Sequence, residues 1–262
     1  MNEDKNQEKI YQPLIESFKK QTSNLYKKLW VKKSSDIDLS GLFIPHVFDD
    51  YYNAEKRIFY IGQDTYYWTS LSDVYSLNST DYLMKNNAWP ESVDKTLEWT
   101  RPYDFWNFVN RLHLVLNDEQ CDGLQNLVSP QRHLLNQLGW GNIYSLETFG
   151  TIKKYGEEVT NAFDFSVYSM MFEEAKKISN LKNIMDAFNP DYVVILAWQD
   201  VEEWYFKDLN VRYIEEESIE HLLSVYELEN SRKKILWTYH PNALRFKGQD
   251  LGELMNILRS RL

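Results

Sequence analysis

The sequence contains very little cysteine, since Cys121 is the only one among 262 residues. A single thiol excludes an intramolecular disulfide framework and a four-cysteine zinc site, so a reducing compartment is the simplest expectation. Long hydrophobic runs are absent too, because no apolar stretch approaches the roughly 20 residues of a membrane-spanning helix. The first nine residues are polar and lack the hydrophobic segment of a secretory signal. We therefore expect a cytoplasmic protein that does not enter membranes.

An excess of positive charge is also absent. Asp and Glu number 39 against 29 Lys and Arg, and the formal net charge is -10. This balance argues against a non-specific nucleic-acid binder, which attracts phosphate through clustered basic side chains. Residues 231–248 nevertheless carry five basic side chains and no Asp or Glu. Although such a run is more often a solvated face, it gives mild support for an anionic ligand near this segment.

Apolar runs alternate with amphipathic segments along the chain. Runs typical of strands cover residues 57–61, 142–147, 192–198 and 234–239. Helical spacing of apolar residues predicts helices over residues 9–30, 104–116, 131–137, 166–188 and 250–262, with another beginning near Val201. This alternation predicts a three-layer α/β/α sandwich around a mostly parallel sheet of about four strands. We expect one domain over residues 41–262, with residues 1–40 as a helical extension packed on it.

Two short polar motifs follow the first and the last predicted strand. Residues 62–66 read Gly-Gln-Asp-Thr-Tyr, and residues 240–244 read His-Pro-Asn-Ala-Leu. Because ligands of open α/β sheets bind beyond the carboxyl ends of the strands, Asp64 and His240 are predicted to share a site. The simpler alternatives are that Asp64 caps the following turn and that His240 only shapes the exit from its strand.

These motifs resemble those of the uracil-DNA glycosylase superfamily, whose best-known branch has Gly-Gln-Asp-Pro-Tyr and His-Pro-Ser-Pro-Leu in the same order. The first motif matches in four of five places and the second in three of five. The strand at residues 192–198 resembles the hydrophobic strand of the family, and residues 101–104 loosely resemble its proline-rich loop. The departures include Thr65, Ala243 and Arg245.

The resemblance implies a role for each motif residue. In this family a base is flipped out of the DNA and its N-glycosidic bond is hydrolysed without a metal or an organic cofactor. Asp64 would orient the attacking water, and His240 would stabilise the developing oxyanion of the base. Gln63 and Tyr66 would form part of the base pocket, with Tyr66 as a steric wall.

The remaining expected contacts concern base reading and DNA. The family reads uracil with an asparagine at the end of its second core strand. Asn142 is the available candidate, although it stands at the beginning of the predicted strand 142–147. Leu244 would be the wedge that fills the gap left by the flipped nucleotide, and Arg245 beside it would contact DNA.

Three functions remain open from the sequence. The first is a uracil-DNA glycosylase-like enzyme of DNA repair that acts on single- or double-stranded DNA. The second is a non-catalytic DNA-binding or protein-interaction member of the same fold, which the acidic net charge favours. The third is a hydrolase of small nucleosides or esters. The other histidines show no metal-ligand spacing, so we expect no metal site.

Overall fold

The computed structural model describes residues 11–17, 20, 44–62, 92–120, 123–144, 173, 176–198 and 200–262. The strands in this part of the chain are β1 (His46–Val47), β2 (Ile58–Gly62), β3 (Gly139–Asn142), β4 (Tyr192–Ala197), β5 (Val211–Tyr213), β6 (Leu223–Leu228) and β7 (Lys234–Tyr239). The helices are α1 (Val93–Leu97), α2 (Phe105–Leu116), α3 (Ser129–Leu135), α4 (Asn180–Phe188), α5 (Pro241–Phe246) and α6 (Leu251–Arg259). The predicted α/β fold class is thus confirmed.

The strands form one mixed sheet in the order β1-β3-β2-β4-β7-β6-β5. The four central strands, β3, β2, β4 and β7, are mutually parallel. Strands β1, β6 and β5 add antiparallel partners at the two sides. The sheet therefore has seven strands where about four were predicted, because the short β1 and the β5–β6 pair lack the long apolar runs that identified the others.

Helical residues cover both faces of the sheet. Along β2, Phe59 and Ile61 join an apolar cluster that includes α4, whereas Ile58 and Tyr60 join a second cluster that includes α2 and α6. Such a strand, buried on both faces, reads as a continuous apolar run, as parallel strands do. Residues 11–17 are helical and contribute Tyr11 to the first cluster.

The third predicted strand lies earlier in the chain than expected. Strand β3 is Gly139–Asn142, so Asn142 ends the strand instead of beginning it. This strand contains two glycines, and a β-carbon on Gly139 would lie only 2.5 Å from the Phe59 ring. A bulky neighbour on β2 thus requires glycine within this strand. Residues 145–147 of the predicted strand lie outside the described residues.

Two helix predictions are also corrected. The predicted helix 166–188 is interrupted, because residues 176–179 form a turn and α4 begins at Asn180. The expected helix near Val201 is a single 3-10 turn at Glu203–Phe206, and strands β5 and β6 follow it. The helices expected at 131–137 and 250–262 are found as α3 and α6. No helix among the described residues has the length and apolar character needed to cross a membrane.

Candidate functional site

The carboxyl ends of the four parallel strands meet at one edge of the sheet. Gly62 of β2 lies opposite Asn142 of β3, and Ala197 of β4 lies opposite Tyr239 of β7. His240 directly follows β7, and its backbone N–H donates to the carbonyl of Ala197 at 2.7 Å. This edge is where a doubly covered sheet offers space to a ligand.

His240 is held in place by its own backbone and by two aromatic rings. It is the N-cap of α5, and its Nδ1 accepts a hydrogen bond from the backbone N–H of Asn242 at 3.2 Å. The ring of Trp198 stacks on the imidazole with a centroid distance of 5.2 Å and an interplanar angle of 16°. The ring of Phe105 stacks on it at 6.1 Å and 18°. The imidazole orientation is therefore fixed on several sides.

The same environment decides the charge and the tautomer of His240. Burial lowers the pKa of its imidazole from 6.5 to about 4, so the ring is neutral at neutral pH. Because Nδ1 accepts a hydrogen bond from the Asn242 backbone N–H, the single proton of the neutral ring resides on Nε2. His240 therefore offers a neutral N–H donor at Nε2.

Asn142 presents a buried amide at the same edge. The residue is 4% exposed, and its Nδ2 has no hydrogen-bond partner among the described residues. Its Oδ1 points toward Gly62, where a β-carbon would lie only 3.1 Å from this oxygen. A buried amide donor without a partner is costly, so this group is suited to a ligand acceptor.

Phe105 connects the asparagine with the histidine. As the first residue of α2, it lies 3.3 Å from the position of a β-carbon on Gly62 and stacks on His240. Asn142, Gly62, Phe105 and His240 thus form one continuous group, which together with Trp198 we call the strand-end site. The site combines a buried amide, a neutral imidazole donor and apolar rings, a composition that suits a planar polar ligand.

Basic and aromatic side chains lie next to His240. The Arg245 guanidinium stands 5.5 Å from the ring centroid of Tyr103, and Lys247 Nζ stands 3.5 Å from that of Tyr239. Tyr239 in turn donates its hydroxyl to Asp200 Oδ1 at 2.5 Å. Phe246, between the two cations, is 81% exposed. The exposed side of α5 therefore presents an aromatic ring flanked by positive charge.

The structure brings two of the predicted site residues together, and three others lie outside the described residues. Asn142 and His240 lie at one sheet edge and share Phe105 as a neighbour. Asp64, Gln63 and Tyr66 lie outside the described residues, which reach Gly62 and resume at Ser92.

The DNA-contact candidates on α5 differ in exposure. Arg245 is exposed, whereas Leu244 is fully buried and packs in the cluster that contains α2 and α6. Leu244 thus lacks the exposed side chain that a wedge requires, because the turn of α5 directs it to the core.

Sequence reasoning missed Phe105 and Trp198 as site residues. Trp198 directly follows β4, as His240 follows β7, so the rule that found His240 also points to it. Phe105 follows the loop at residues 101–104, which was noted only for its proline. Its position at the start of α2 brings it to the strand ends.

A second cavity lies away from the strand-end site. An open cavity of about 510 Å³ lies at the turn between β6 and β7, at the opposite end of β7 from His240. Its lining pair, Arg212 and Glu227, is already joined in a salt bridge of 2.7 Å. No group of three or more His, Cys, Asp or Glu side chains suited to a metal occurs in the part of the chain described. Comparison of the sequence with protein-family models and with curated proteins finds no match.

Proposed function

We propose that the protein is a uracil-DNA glycosylase-like enzyme with the three-layer fold of that superfamily. It would take a flipped uracil or modified base of DNA into the strand-end site and hydrolyse the N-glycosidic bond. The observation that carries this proposal is the position of Asn142 at the end of β3, with a buried Nδ2 that lacks a partner among the described residues.

The amide of Asn142 complements the edge of uracil. An amide presents one acceptor and one donor side by side, and uracil presents the N3–H donor beside the O4 acceptor. The family resemblance expects the base-reading asparagine at this strand end. Phe105 supplies an apolar ring next to the amide, against which a planar base would stack.

His240 supports the chemical step. When the bond between C1′ and the base nitrogen breaks, its electron pair passes to the base, and negative charge develops on the base oxygens. The neutral Nε2–H of His240 would donate a hydrogen bond to that oxygen, and the imidazole would keep its proton. Water adds to C1′ and loses a proton, and Asp64, which by the resemblance would orient this water, would accept that proton.

The exposed side of α5 supports a DNA contact. Phe246 and Arg245 are both exposed and lie within six residues of His240. An exposed aromatic ring can stack on an unpaired base, and the neighbouring cations attract phosphate. In this proposal Phe246, rather than the buried Leu244, contacts the nucleotides beside the flipped base.

Base release from defined oligonucleotides tests the activity. Purified protein is incubated with single- and double-stranded DNA that carries one uracil, and release of the base is measured directly. We expect release by the wild type and a loss on the order of 100-fold to 1000-fold in His240→Ala, as for removal of one oxyanion donor. Asn142→Ala is expected to lose activity as well.

Matched variants control for folding. His221→Ala removes a histidine whose side chain is 84% exposed, and Asn256→Ala removes an exposed asparagine of α6. Both should release base at the wild-type rate. Absence of base release from every substrate by the wild type would refute the catalytic proposal.

A second candidate is a hydrolase of free nucleosides, which two observations favour. Leu244 is buried, and the net charge of -10 opposes binding to a polyanion. Turnover of free deoxyuridine without measurable binding to oligonucleotides would select this function. Release of uracil from oligonucleotides but not from free deoxyuridine, with an oligonucleotide affinity that falls as salt rises, would select the DNA enzyme.

A further inference from the structure

Asn180 makes two buried hydrogen bonds to the end of β3. It is the first residue of α4 and is 2% exposed. Its Nδ2 donates to the backbone carbonyl of Asn142 at 2.5 Å and to that of Ile143 at 3.2 Å. A side chain from a distant helix thus holds the backbone from which the Asn142 amide projects.

These bonds lie where, among the described residues, no strand pairs with this side of the end of β3. Strand β1 pairs with β3 only at Gly139 and Trp140, so it does not reach the end of β3. Beyond that point β3 has β2 on one side, and the carbonyl of Asn142 faces Asn180 on the other. Because a buried carbonyl needs a donor, Asn180 takes over the role that a longer β1 would have.

The peptide group between Asn142 and Ile143 is held at both ends. Its carbonyl oxygen accepts from Asn180, and its N–H donates to the carbonyl of Gly62 at 2.8 Å. Fixing this peptide plane fixes the ψ angle of Asn142. The direction in which its side chain leaves the strand is thereby restricted.

The unused half of the Asn180 amide indicates what the residue is for. Its Oδ1 is buried and has no hydrogen-bond partner among the described residues. An unsatisfied buried acceptor destabilises the fold, so an apolar side chain would serve packing better. The contribution of the amide to the structure therefore lies in its two donated bonds.

We infer that Asn180 is a positioning residue that orients the Asn142 amide toward the ligand. The link to ligand binding rests on the proposed function, while the orientation of Asn142 does not. Loss of the Asn180 donors would free the peptide plane and let the amide of Asn142 adopt other directions. The protein would remain folded but would bind the base less tightly.

Nuclear magnetic resonance of the full-length protein tests the orientation. The probes are the side-chain amide signals of Asn142 and the backbone N–H signal of Ile143, compared in wild type, Asn180→Ser and Asn180→Asp. Serine keeps a single shorter donor, and aspartate places a carboxylate against two carbonyls. We expect both sets of signals to move in either variant. Unchanged signals in the folded variants would overturn the inference, whatever the activity of the protein.

Calorimetric titration with free uracil tests the functional consequence. Asn180→Ser should weaken binding by about tenfold, the order of one net hydrogen bond. The control is Asn183→Ser, which changes a mostly buried asparagine of the same helix whose Oδ1 accepts from the Ser17 hydroxyl at 3.3 Å. Asn183→Ser should leave both the signals and the affinity unchanged, and equal weakening in the two variants would reduce Asn180 to a structural role. If the wild type binds no uracil, the proposed function fails, and the resonance result still decides the positioning role.

Discussion

At the scale of single residues, His240 shows how a neutral imidazole becomes a hydrogen-bond donor at one defined nitrogen. The backbone N–H of Asn242 occupies Nδ1, and burial lowers the imidazole pKa to about 4. Neither effect alone would define which nitrogen carries the proton. A charged ring could donate from both nitrogens, and a free neutral ring could adopt either tautomer. Together they leave one proton on Nε2 over the whole neutral range.

The burial of His240 depends on the ring of Trp198. Trp198→Ala removes a ring stacked at 5.2 Å and lets water reach the imidazole. We expect the pKa of His240 to rise from about 4 toward 6.5, because desolvation is the cause of its lowering. Chemical-shift titration of the imidazole measures it, and Trp99→Ala serves as the tryptophan control. An unchanged midpoint in Trp198→Ala would contradict this role.

Gly62 is required by the close approach of the Asn142 amide. A β-carbon there would lie 3.1 Å from Asn142 Oδ1 and 3.3 Å from the Phe105 ring. Gly62→Ala should displace both groups and weaken uracil binding by about tenfold or more, the order of one lost hydrogen bond. Gly252→Ala in α6 should instead leave uracil binding unchanged. Equal uracil affinity in Gly62→Ala and wild type would show that the site tolerates the methyl group.

At the scale of secondary-structure elements, α5 directs one apolar residue into the core and another into solvent. Leu244 points into the core and is fully buried, while Phe246 is 81% exposed. The motif at residues 240–244 carried no helix prediction, and only the helical turn of α5 shows which of its apolar residues faces outward. A short helix permits just one face to pack, so neighbouring residues serve opposite purposes.

The limits of sequence prediction at this scale have physical reasons. Strands β4 and β7 were predicted because burial on both faces produces continuous apolar runs. Strand β3 was misplaced because its glycines accommodate Phe59, a contact between distant segments that no local pattern records. His240 was found at a strand end, but the stacking of Phe105 on it depends on tertiary packing.

Opposite outcomes are expected for the two apolar residues of α5. Leu244→Ala should lower the free energy of unfolding by about 2–5 kcal/mol, as for other buried leucines. Phe246→Ala should change stability by no more than about 0.5 kcal/mol, since the ring is exposed. It should nevertheless weaken binding to a single-stranded oligonucleotide, with a loss of stacking worth about 1–3 kcal/mol.

Chemical denaturation and fluorescence-anisotropy binding measure these two quantities. Tyr213→Ala is the matched control, because Tyr213 is a 50% exposed aromatic residue on the edge strand β5. Its removal should leave the oligonucleotide affinity unchanged, whereas the loss of its ring contact with Tyr226 at 5.4 Å should lower stability. Wild-type DNA affinity in Phe246→Ala would exclude this ring from the DNA contact.

At the scale of the whole molecule, the two faces of the sheet support the strand-end site in different ways. Helix α4 reaches Asn142 from one face through Asn180, and α2 reaches the same edge from the other through Phe105. The site therefore depends on both cores. A substitution deep in either apolar cluster is expected to affect the strand-end site through the helix that packs in that cluster.

The core that holds α2 contains a buried histidine that links stability to pH. His113 is fully buried, its Nε2–H donates to the Leu134 carbonyl at 3.0 Å, and its Nδ1 accepts from the Tyr60 hydroxyl at 2.9 Å. Burial lowers its pKa from 6.5 to about 4, while the bond to Leu134 acts in the opposite direction. A proton on Nδ1 would abolish the acceptor that Tyr60 uses.

This lowered pKa predicts acid destabilisation with a definite sign. As pH falls below 6.5, the unfolded chain binds a proton at this histidine and the folded chain does not until about pH 4. Stability present above pH 6.5 is therefore lost between these values, by an amount on the order of 3 kcal/mol for this group. His113→Gln should flatten the dependence of unfolding free energy on pH in that window, measured by denaturant titration. His240 has a similarly lowered pKa, so part of the slope should remain in the variant. A slope as steep as that of the wild type would show that His113 does not bind a proton on unfolding.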